Sequence, residues 1–457
     1  MSLTYDEFLA RKVPSASACG FEPQPFAQPL FDFQADAVKW ACRRGRSALF
    51  EDCGLGKTPQ QLVWADQVVK QTSNPVLILA PNEVAHQTVR EGDKFGLHVH
   101  HVRDGADIVP GINITNYERL HRFDPSVFGG IVLDESSILK AYDGKTRTHI
   151  INSFESTRYK LACTATPAPN DFMELGNHSE FLGVMTRAEM LATFFVHDGG
   201  DTSKWRLKQH AVNAFWRWLC TWAVNIRTPS DLGYDNTRFT LPPLRMHEHI
   251  VHTSAKVDGY LFPLPASSLK ERRDARRASL NERVALAADM VTANSREQWV
   301  CWCNLNSESE ALADAVSGVE VRGSTTEQDR ERIARDFLNG NIQVVVTKPS
   351  LWGFGMNLQC CHNTAFVGLS DSYEEFYQCV RRFWRFGQTR EVNAHIIISE
   401  LEGAVLANIK RKEADACRLA QEMVAHMSQF SKSIIRGATR DTEDYTPAAR
   451  MALPAFL

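Results

Sequence analysis

Short apolar runs recur along the chain, each closed by a polar or glycine-rich turn that leads into a helical stretch. In the first half they fall at 47–50, 76–80, 131–134 and 161–164, and in the second at 299–302, 344–347, 364–367 and 394–398. Continuous apolar strands alternating with helices are strands covered on both faces, the mark of parallel sheets. The pattern occurs twice, so the expected fold is α/β, two tandem parallel-sheet lobes of the RecA-like kind.

Between the halves the texture changes. Aromatic residues, among them Trp205, Trp216, Trp218 and Trp222, crowd the stretch after 181, and Leu241-Pro242-Pro243 and Phe262-Pro263-Leu264-Pro265 break any helix. Phe215, Trp218 or Leu219, and Trp222 repeat at helical spacing, which predicts a core face, with Trp216 the exposed member. The basic stretch with Lys270, Arg272, Arg273, Arg276, Arg277 and Arg283 reads equally as a groove for nucleic acid or as a solvated helix paired with Glu271, Asp274 and Glu282. The expected organisation is an N-terminal segment (1–30), a first lobe (31–180), a helical insert and linker (181–284), a second lobe (285–400), and a C-terminal helix with a tail (401–457).

A chain of 457 residues holds about two or three domains at roughly 150 residues each. Hydrophobic content of 44% and charged content of 23% describe an ordinary globular protein, and a net charge of -3 means that phosphate binding must come from local basic grooves. No apolar stretch is long enough to cross a bilayer, and the first thirty residues lack a signal pattern, so a cytoplasmic location is expected. The 11 cysteines are scattered. Neither Cys301 with Cys303 nor Cys360-Cys361-His362 has the spacing of a tetrahedral zinc site, so free thiols in a reducing compartment are expected.

The chemistry is carried by three separated segments. Gly54-Leu55-Gly56-Lys57-Thr58 follows an apolar run and opens a helix. Glycines let backbone N–H groups approach phosphate oxygens, Lys57 can reach the β- and γ-phosphates, and the Thr58 hydroxyl can ligate Mg²⁺. Glu51 stands where the full pattern wants a glycine. Asp134-Glu135 ends another apolar run: Asp134 would hold Mg²⁺, and Glu135 would orient and deprotonate an attacking water. Gln378, Arg382 and Arg385 sit at i, i+4 and i+7 on one helix face, from which two arginines can close over a γ-phosphate. Each segment has a bland alternative, namely a glycine turn, a charged helix cap or a basic helix end; the three together in this order point to ATP hydrolysis.

With these segments in view the chain resembles superfamily 2 helicases over about residues 31–399. It is most similar to the Swi/Snf-type double-stranded DNA translocases and to compact helicases carried by bacteriophages and prophages. The resemblance implies an adenine-reading role for Gln34, in Phe31-Asp32-Phe33-Gln34. It assigns Glu51 to Thr58 to motif I, Leu79-Ala80-Pro81 and Ile114-Thr115-Asn116-Tyr117-Glu118 to motifs Ia and Ib, and Asp134-Glu135-Ser136-Ser137 to motif II. Thr164-Ala165-Thr166-Pro167 is similar to motif III, in which Thr164 and Thr166 would couple hydrolysis to strand contact. Arg322-Gly323-Ser324-Thr325, Thr347-Lys348 and 353–358 resemble second-lobe motifs. Pro81, Thr115, Asn116, Ser324, Thr347 and Lys348 would contact nucleic acid, and Gly355 and Gln378 would serve the nucleotide. Arg382 and Arg385 fall on the two arginine fingers of motif VI. Ser137 replaces the histidine or aspartate of many relatives, so the link between Glu135 and motif III must be rebuilt, with the Ser137 hydroxyl as the expected route. The chain has no room for the large insertions of chromatin remodellers.

The expected activity is ATP- and Mg²⁺-dependent translocation along, or unwinding of, double-stranded or branched DNA in the cytoplasm of a bacterial or phage-infected cell. An RNA helicase and a nucleotide-switched scaffold, recruiting a protein through the insert or the tail, are the alternatives. Trp352 and Trp384, inside motifs V and VI, are the aromatic residues closest to this chemistry, with packing between the lobes as their simpler role.

Overall fold

The computed structural model describes residues 16–140, 144–198, 201–252, 274, 276–353, 356–370 and 372–436. Two parallel sheets, each with helices on both faces, form two α/β domains. The first is built from β1 (Arg46–Glu51), β2 (Val76–Ala80), β3 (Val99–His101), β4 (Ile112–Asn116), β5 (Gly130–Asp134), β6 (Tyr159–Thr164) and β9 (Ala223–Ile226), in the order β3-β4-β2-β5-β6-β1-β9. β7 (Phe195–Asp198) and β8 (Asp201–Leu207) form a separate antiparallel hairpin. The second sheet holds β10 (Leu244–Val251), β11 (Trp299–Cys303), β12 (Val319–Glu320), β13 (Val344–Thr347), β14 (Asn363–Val367) and β15 (Val392–Ser399), in the order β10-β15-β14-β11-β13-β12.

The helices follow the strands. Those of the first half are α1 (Asp32–Arg44), α2 (Lys57–Thr72), α3 (Asn82–Lys94), α4 (Lys145–Ser153), α5 (Leu175–Leu182), α6 (Arg187–Phe194) and α7 (Val212–Cys220). Those of the second are α8 (Leu280–Ala293), α9 (Asn306–Val316), α10 (Glu327–Leu338), α11 (Pro349–Trp352), α12 (Tyr373–Phe383) and α13 (Gly403–Arg436).

Alternation of side chains across a strand explains why whole runs are apolar. Leu77 and Leu79 of β2 and Ile131 and Leu133 of β5 face one core, while Val76, Ile78 and Val132 face another on the opposite side of the same sheet. In the second sheet Val300 and Trp302 enter one core and Trp299, Cys301 and Cys303 the other. Cys301 and Cys303 are therefore core side chains of one strand face, with thiols that burial pushes far up.

The stretch 181–284, expected as a helical insert and linker, is partly sheet. β9 pairs with β1 at the edge of the first sheet, and β10 pairs with β15 along its whole length at the edge of the second. β10 escaped notice because an edge strand leaves one side in water. Its sequence Leu-Arg-Met-His-Glu-His-Ile-Val is accordingly half polar. The tryptophan cluster is core, as the helical spacing indicates, but Trp216 is not the exposed member: it is 2% exposed. Its indole stacks on His426 of α13, 5.1 Å away and nearly parallel. A helix that arrives two hundred residues later covers it.

Where it is described, the basic stretch takes the solvated, paired form at Arg277 and is internal at Arg276 and Arg283. Arg276 pairs with Glu402 (Nε to Oε1, 3.0 Å) and Arg283 with Glu308 (2.7 Å), all four side chains out of solvent. Arg277 alone makes a surface pair, with Asp274. Lys270, Glu271, Arg272 and Arg273 lie outside the described residues.

α13 ties the halves together. Val405, Leu406 and Ile409 belong to a core of the second sheet, whereas Met423 and Met427 belong to a core of the first. At 34 residues the helix spans about 50 Å, which is enough to run from one domain to the other. The ion pairs Lys140–Glu374 and His86–Glu331 also bridge the domains.

Candidate functional site

Parallel sheets present ligands at the carboxyl ends of their strands, where loops and helix N-termini gather. Along that edge of the first sheet stand, in spatial order, Asn116 after β4, Pro81 after β2, Asp134-Glu135 at β5, Thr164 at β6 and the glycine loop after β1.

The loop is shaped by two glycines in the left-handed region, Gly54 (φ 89°) and Gly56 (φ 80°). A side chain is excluded at both. A Cβ on Gly54 would lie 2.7 Å from the backbone nitrogen of Phe386, and one on Gly56 would lie 2.3 Å from Nε2 of Gln34. Gln34 is fixed in turn, donating to the Leu55 carbonyl (2.7 Å) and accepting from the Phe31 N–H (3.0 Å). Lys57 opens α2 and folds its Nζ back on the carbonyls of Glu51 (2.8 Å) and Asp52 (3.3 Å). Burial works against its ammonium, but the charges of Cys53, Glu135, Glu51 and Asp52 outweigh that and hold its pKa above the ordinary lysine value.

Asp134 is held from two sides. Gln61 donates to its Oδ1 (2.8 Å) and the Tyr117 hydroxyl to its backbone carbonyl (2.6 Å). Glu135 carries a positive φ of 54°, a conformation that costs a non-glycine residue about 1 kcal/mol or more. Burial lifts both carboxyls above the usual range. Gln61 and the Lys57 charge draw Asp134 part of the way back, and the Asp134 charge pushes Glu135 further up. The link between Glu135 and Thr164 does not use Ser137, the route expected from the resemblance. Thr164 Oγ1 donates directly to Glu135 Oε2 (3.4 Å) and accepts from the Thr166 N–H (3.1 Å). Ser136 instead meets the buried His178 of α5 at 3.1 Å, whose imidazole burial keeps neutral down to about 4.

The second domain supplies α12 and the turn after it. Arg382 donates to the Gly353 carbonyl (2.9 Å) and to Gln378 Oε1 (2.7 Å), so Gln378 acts within its own domain. Arg385 is different. Its Nε is buried without a hydrogen-bond partner among the described residues, and burial together with the Arg382 charge brings its pKa down to about 10.

These groups meet in one cavity of about 350 Å³ between the domains. Gln34, Gly54, Gly56, Lys57, Thr58, Asp134 and Glu135 line it from one side, Arg382 and Arg385 from the other. Phe31, Phe239 and Phe386 close its end beside Gln34, with ring centroids 4.9–6.0 Å apart. Thr58 and Asp134 offer hard oxygens in this lining, and burial lifts the carboxyls of Asp134 and Glu135, so the donor set fits a magnesium ion.

The residues expected to touch nucleic acid are not alike. Ser324 is exposed and Lys348 half-buried, its Nζ on Asn306 Oδ1 (2.6 Å); Pro81 is half-buried at the start of α3. Thr115 and Thr347 are fully buried, the latter donating to the Val321 carbonyl. Asn116 is buried as the cap of the turn that follows, accepting from the Arg119 N–H. Strand-end side chains here point into the sheet layers, so these three shape the surface from beneath. Gly355 lies outside the described residues.

With the geometry in view, the second domain is recognisable. Residues 282–387 match the helicase conserved C-terminal domain. The match runs from α8 through the arginines of α12, and it supports a helicase of superfamily 1 or 2, a nucleic-acid-dependent motor that uses ATP. No curated protein matches the chain. No helix among the described residues is long and apolar enough to cross a membrane.

The sequence missed Asp52, Tyr377 and Arg381, which join the glycine loop to α12, and Gln61 and Tyr117, which hold Asp134. An acidic residue just before a glycine loop was visible, but its partner lies 329 residues away.

Proposed function

We propose that this chain is a superfamily 2 DNA translocase or helicase, Swi/Snf-like in its motifs, that couples Mg-ATP hydrolysis in the interdomain cavity to movement along DNA. The observation that carries the reading is the two-sided cavity: Lys57, Thr58, Asp134 and Glu135 from one domain face Arg382 and Arg385 from the other. Neither half is a hydrolytic site alone. Closure of the domains completes it, and opening dissolves it, which converts a chemical cycle into relative motion.

In this reading ATP takes the cavity with its base toward Gln34 and the Phe31, Phe239 and Phe386 rings. Lys57 leaves the loop carbonyls for the β- and γ-phosphates, and Glu135 orients and deprotonates water. A magnesium ion on Thr58 and Asp134 would supply neutralising charge at the phosphate oxygens. Arg385, whose Nε has no partner among the described residues, meets the charge that grows on the γ-phosphate, with Arg382 turning from Gly353 to join it. Thr164 and Thr166 carry the state of Glu135 to the strand-end edge. DNA phosphates cross that edge near Pro81 on one domain and Ser324 and Lys348 on the other, over the support of Thr115, Asn116 and Thr347. The protein acts in the cytoplasm.

The test is the ATPase rate with duplex DNA, single-stranded DNA and RNA, using Lys57→Ala and Glu135→Gln as controls. Duplex DNA should stimulate hydrolysis most, and each substitution should lower the rate by about 10²-fold or more. A rate that no nucleic acid raises would sink the motor reading; stimulation by RNA alone would replace DNA as the track.

A further inference from the structure

Asp52 stands immediately before the glycine loop, yet its carboxylate is turned away from the cavity. It accepts from Arg381 of α12 (Nη2 to Oδ2, 2.6 Å), from the Tyr377 hydroxyl one turn earlier (2.9 Å) and from the Cys53 N–H (2.7 Å). Both ionic side chains are largely out of solvent, 7% exposed for Arg381 and 15% for Asp52. The guanidinium is braced against two rings, Trp384 at 4.6 Å and Tyr377 at 5.3 Å. Trp384 donates its indole N–H to the Pro242 carbonyl (2.6 Å), just before the first strand of the second domain. The contact is thus continuous from the glycine loop through α12 to the crossing chain.

Two further facts tie this contact to the reacting groups. Asp52 uses its carbonyl for Lys57 Nζ while its carboxylate holds Arg381, so one residue touches both sides of the cleft. Gly54 lies so close to Phe386 that a Cβ would collide with its backbone nitrogen, which sets the loop directly against the residue after Arg385. Lys140–Glu374 and His86–Glu331 also bridge the domains, but neither involves the loop.

We infer that Arg381 is a positioning residue, which through Asp52 locks α12 to the glycine loop and so places Arg385 opposite Lys57 and Glu135. The lock and the phosphate site share the Asp52 backbone, so a ligand that draws Lys57 off the Asp52 carbonyl acts on the same residue that Arg381 grips. Arg381 lines the cavity beside Arg382 and Arg385, but its guanidinium is held by Asp52 and by the Tyr377 and Trp384 rings. It sets where the neighbouring arginine stands, and displacement of such a group by about 1 Å costs on the order of 10²-fold in rate. This inference rests on the ATPase reading above for its kinetic consequence, and on the hydrogen bonds alone for its mechanical one.

The full chain would be compared with Asp52→Asn, Arg381→Gln, the double variant and Arg381→Lys. Three readouts are needed: ATPase kcat and KM, affinity for a fluorescent ADP, and the radius of gyration in solution without nucleotide. Asp52→Asn and Arg381→Gln should each lower kcat by about 10- to 100-fold, with ADP affinity within about threefold of the parent. The double variant should be no worse than either single one, because both remove the same contact. Arg381→Lys should recover part of the rate, and the two single variants should expand the protein equally. Unchanged kcat, strictly multiplicative losses or an unchanged radius in folded Arg381→Gln would overturn the lock. A parent protein without ATPase activity would instead overturn the motor reading, and the radii would still decide whether Asp52 and Arg381 hold the domains together.

Discussion

Arg283 and Arg385 belong to the same domain, and both have been drawn out of water, but they are treated in opposite ways. Arg283 is wholly enclosed and surrounded by anions and acceptors: Glu308 at 2.7 Å, Glu402 at 3.8 Å, the Ser279 hydroxyl at 3.0 Å and the Arg276 carbonyl. Each has one buried nitrogen without a hydrogen-bond partner among the described residues, but Arg385 has no ion pair among them: burial and the Arg382 charge outweigh the more weakly felt Glu91 and Glu135 and bring its pKa down to about 10. A cation that serves the fold brings its anion with it, because an uncompensated buried charge costs several kcal/mol. A cation with no bonded anion among the described residues, in a cavity whose opposite wall carries a glycine loop, is arranged for an anion that comes from outside.

The sharpest way to break this contrast is to remove each arginine in turn. Arg385→Ala should lower ATPase kcat by about 10³-fold, the lower end of what an arginine facing a transferred phosphoryl group contributes. It should leave stability unchanged or slightly raised, since an unpaired charge is relieved. Arg283→Ala should do the reverse, costing about 3–5 kcal/mol of stability in urea unfolding because Glu308 is stranded, while surviving folded protein hydrolyses ATP normally. If both variants lost stability alike, Arg385 would be another structural cation and the cavity would lose its second wall.

Glu51 extends the contrast to a carboxylate. Its Oε2 accepts from Gln60 Nε2 (2.7 Å), its Oε1 has no partner among the described residues, and burial lifts its pKa to about 7 against the pull of Lys57 and Gln60. The folded protein therefore holds this proton more tightly than the unfolded chain, where glutamate titrates near 4.5. Its contribution to stability is complete below pH 4.5 and is lost as the pH rises through about 7. A shift of this size corresponds to about 3 kcal/mol. Glu51→Gln should keep the hydrogen bond, remove that slope and raise the melting temperature at pH 8 more than at pH 5. Equal effects at both values would mean that Glu51 is ionised in the fold and paired with Lys57.

These contrasts also show what could be read from the sequence. Both sheets were legible because strands buried on two faces spell continuous apolar runs, as in 76–80 and 299–302. The glycine loop and Asp134-Glu135 were legible because their chemistry is local. β10 was hidden by the polar face of an edge strand, and the burial of Trp216 by its dependence on His426 in a helix far along the chain. Arg276 and Arg283 looked like surface charge because their partners, Glu402 and Glu308, are set by the fold. Arg381 was passed over beside Arg382 for the same reason: the spacing of residues in a helix shows which share a face, and says nothing of what that face meets.

The smallest effect expected lies where three imidazoles crowd one strand pair. His247 and His249 on β10 stack against His395 on β15, with centroids 4.6 and 5.4 Å from it, and His249 Nε2 lies 3.1 Å from His395 Nδ1. One of those nitrogens donates and the other accepts, an arrangement that requires the accepting ring to be neutral. Burial, with the His247 and His249 charges adding to it, pushes His395 down to about 4, and burial with His247 lowers His249 as well. The folded state therefore disfavours protonation relative to the unfolded chain. The stability this gives is present above pH 6.5 and is lost as the pH falls toward 4. His395 is partly exposed, so solvent screens the effect, and it should amount to a few degrees of melting temperature rather than to unfolding. Amide exchange in 244–251 should quicken between pH 7 and pH 5 beyond the intrinsic change, and His395→Gln should abolish that excess. Unaltered exchange in the variant would place the weak point elsewhere than in the contact between β10 and β15. The comparison would then narrow to its two arginines, one paired by the fold and one left for a ligand.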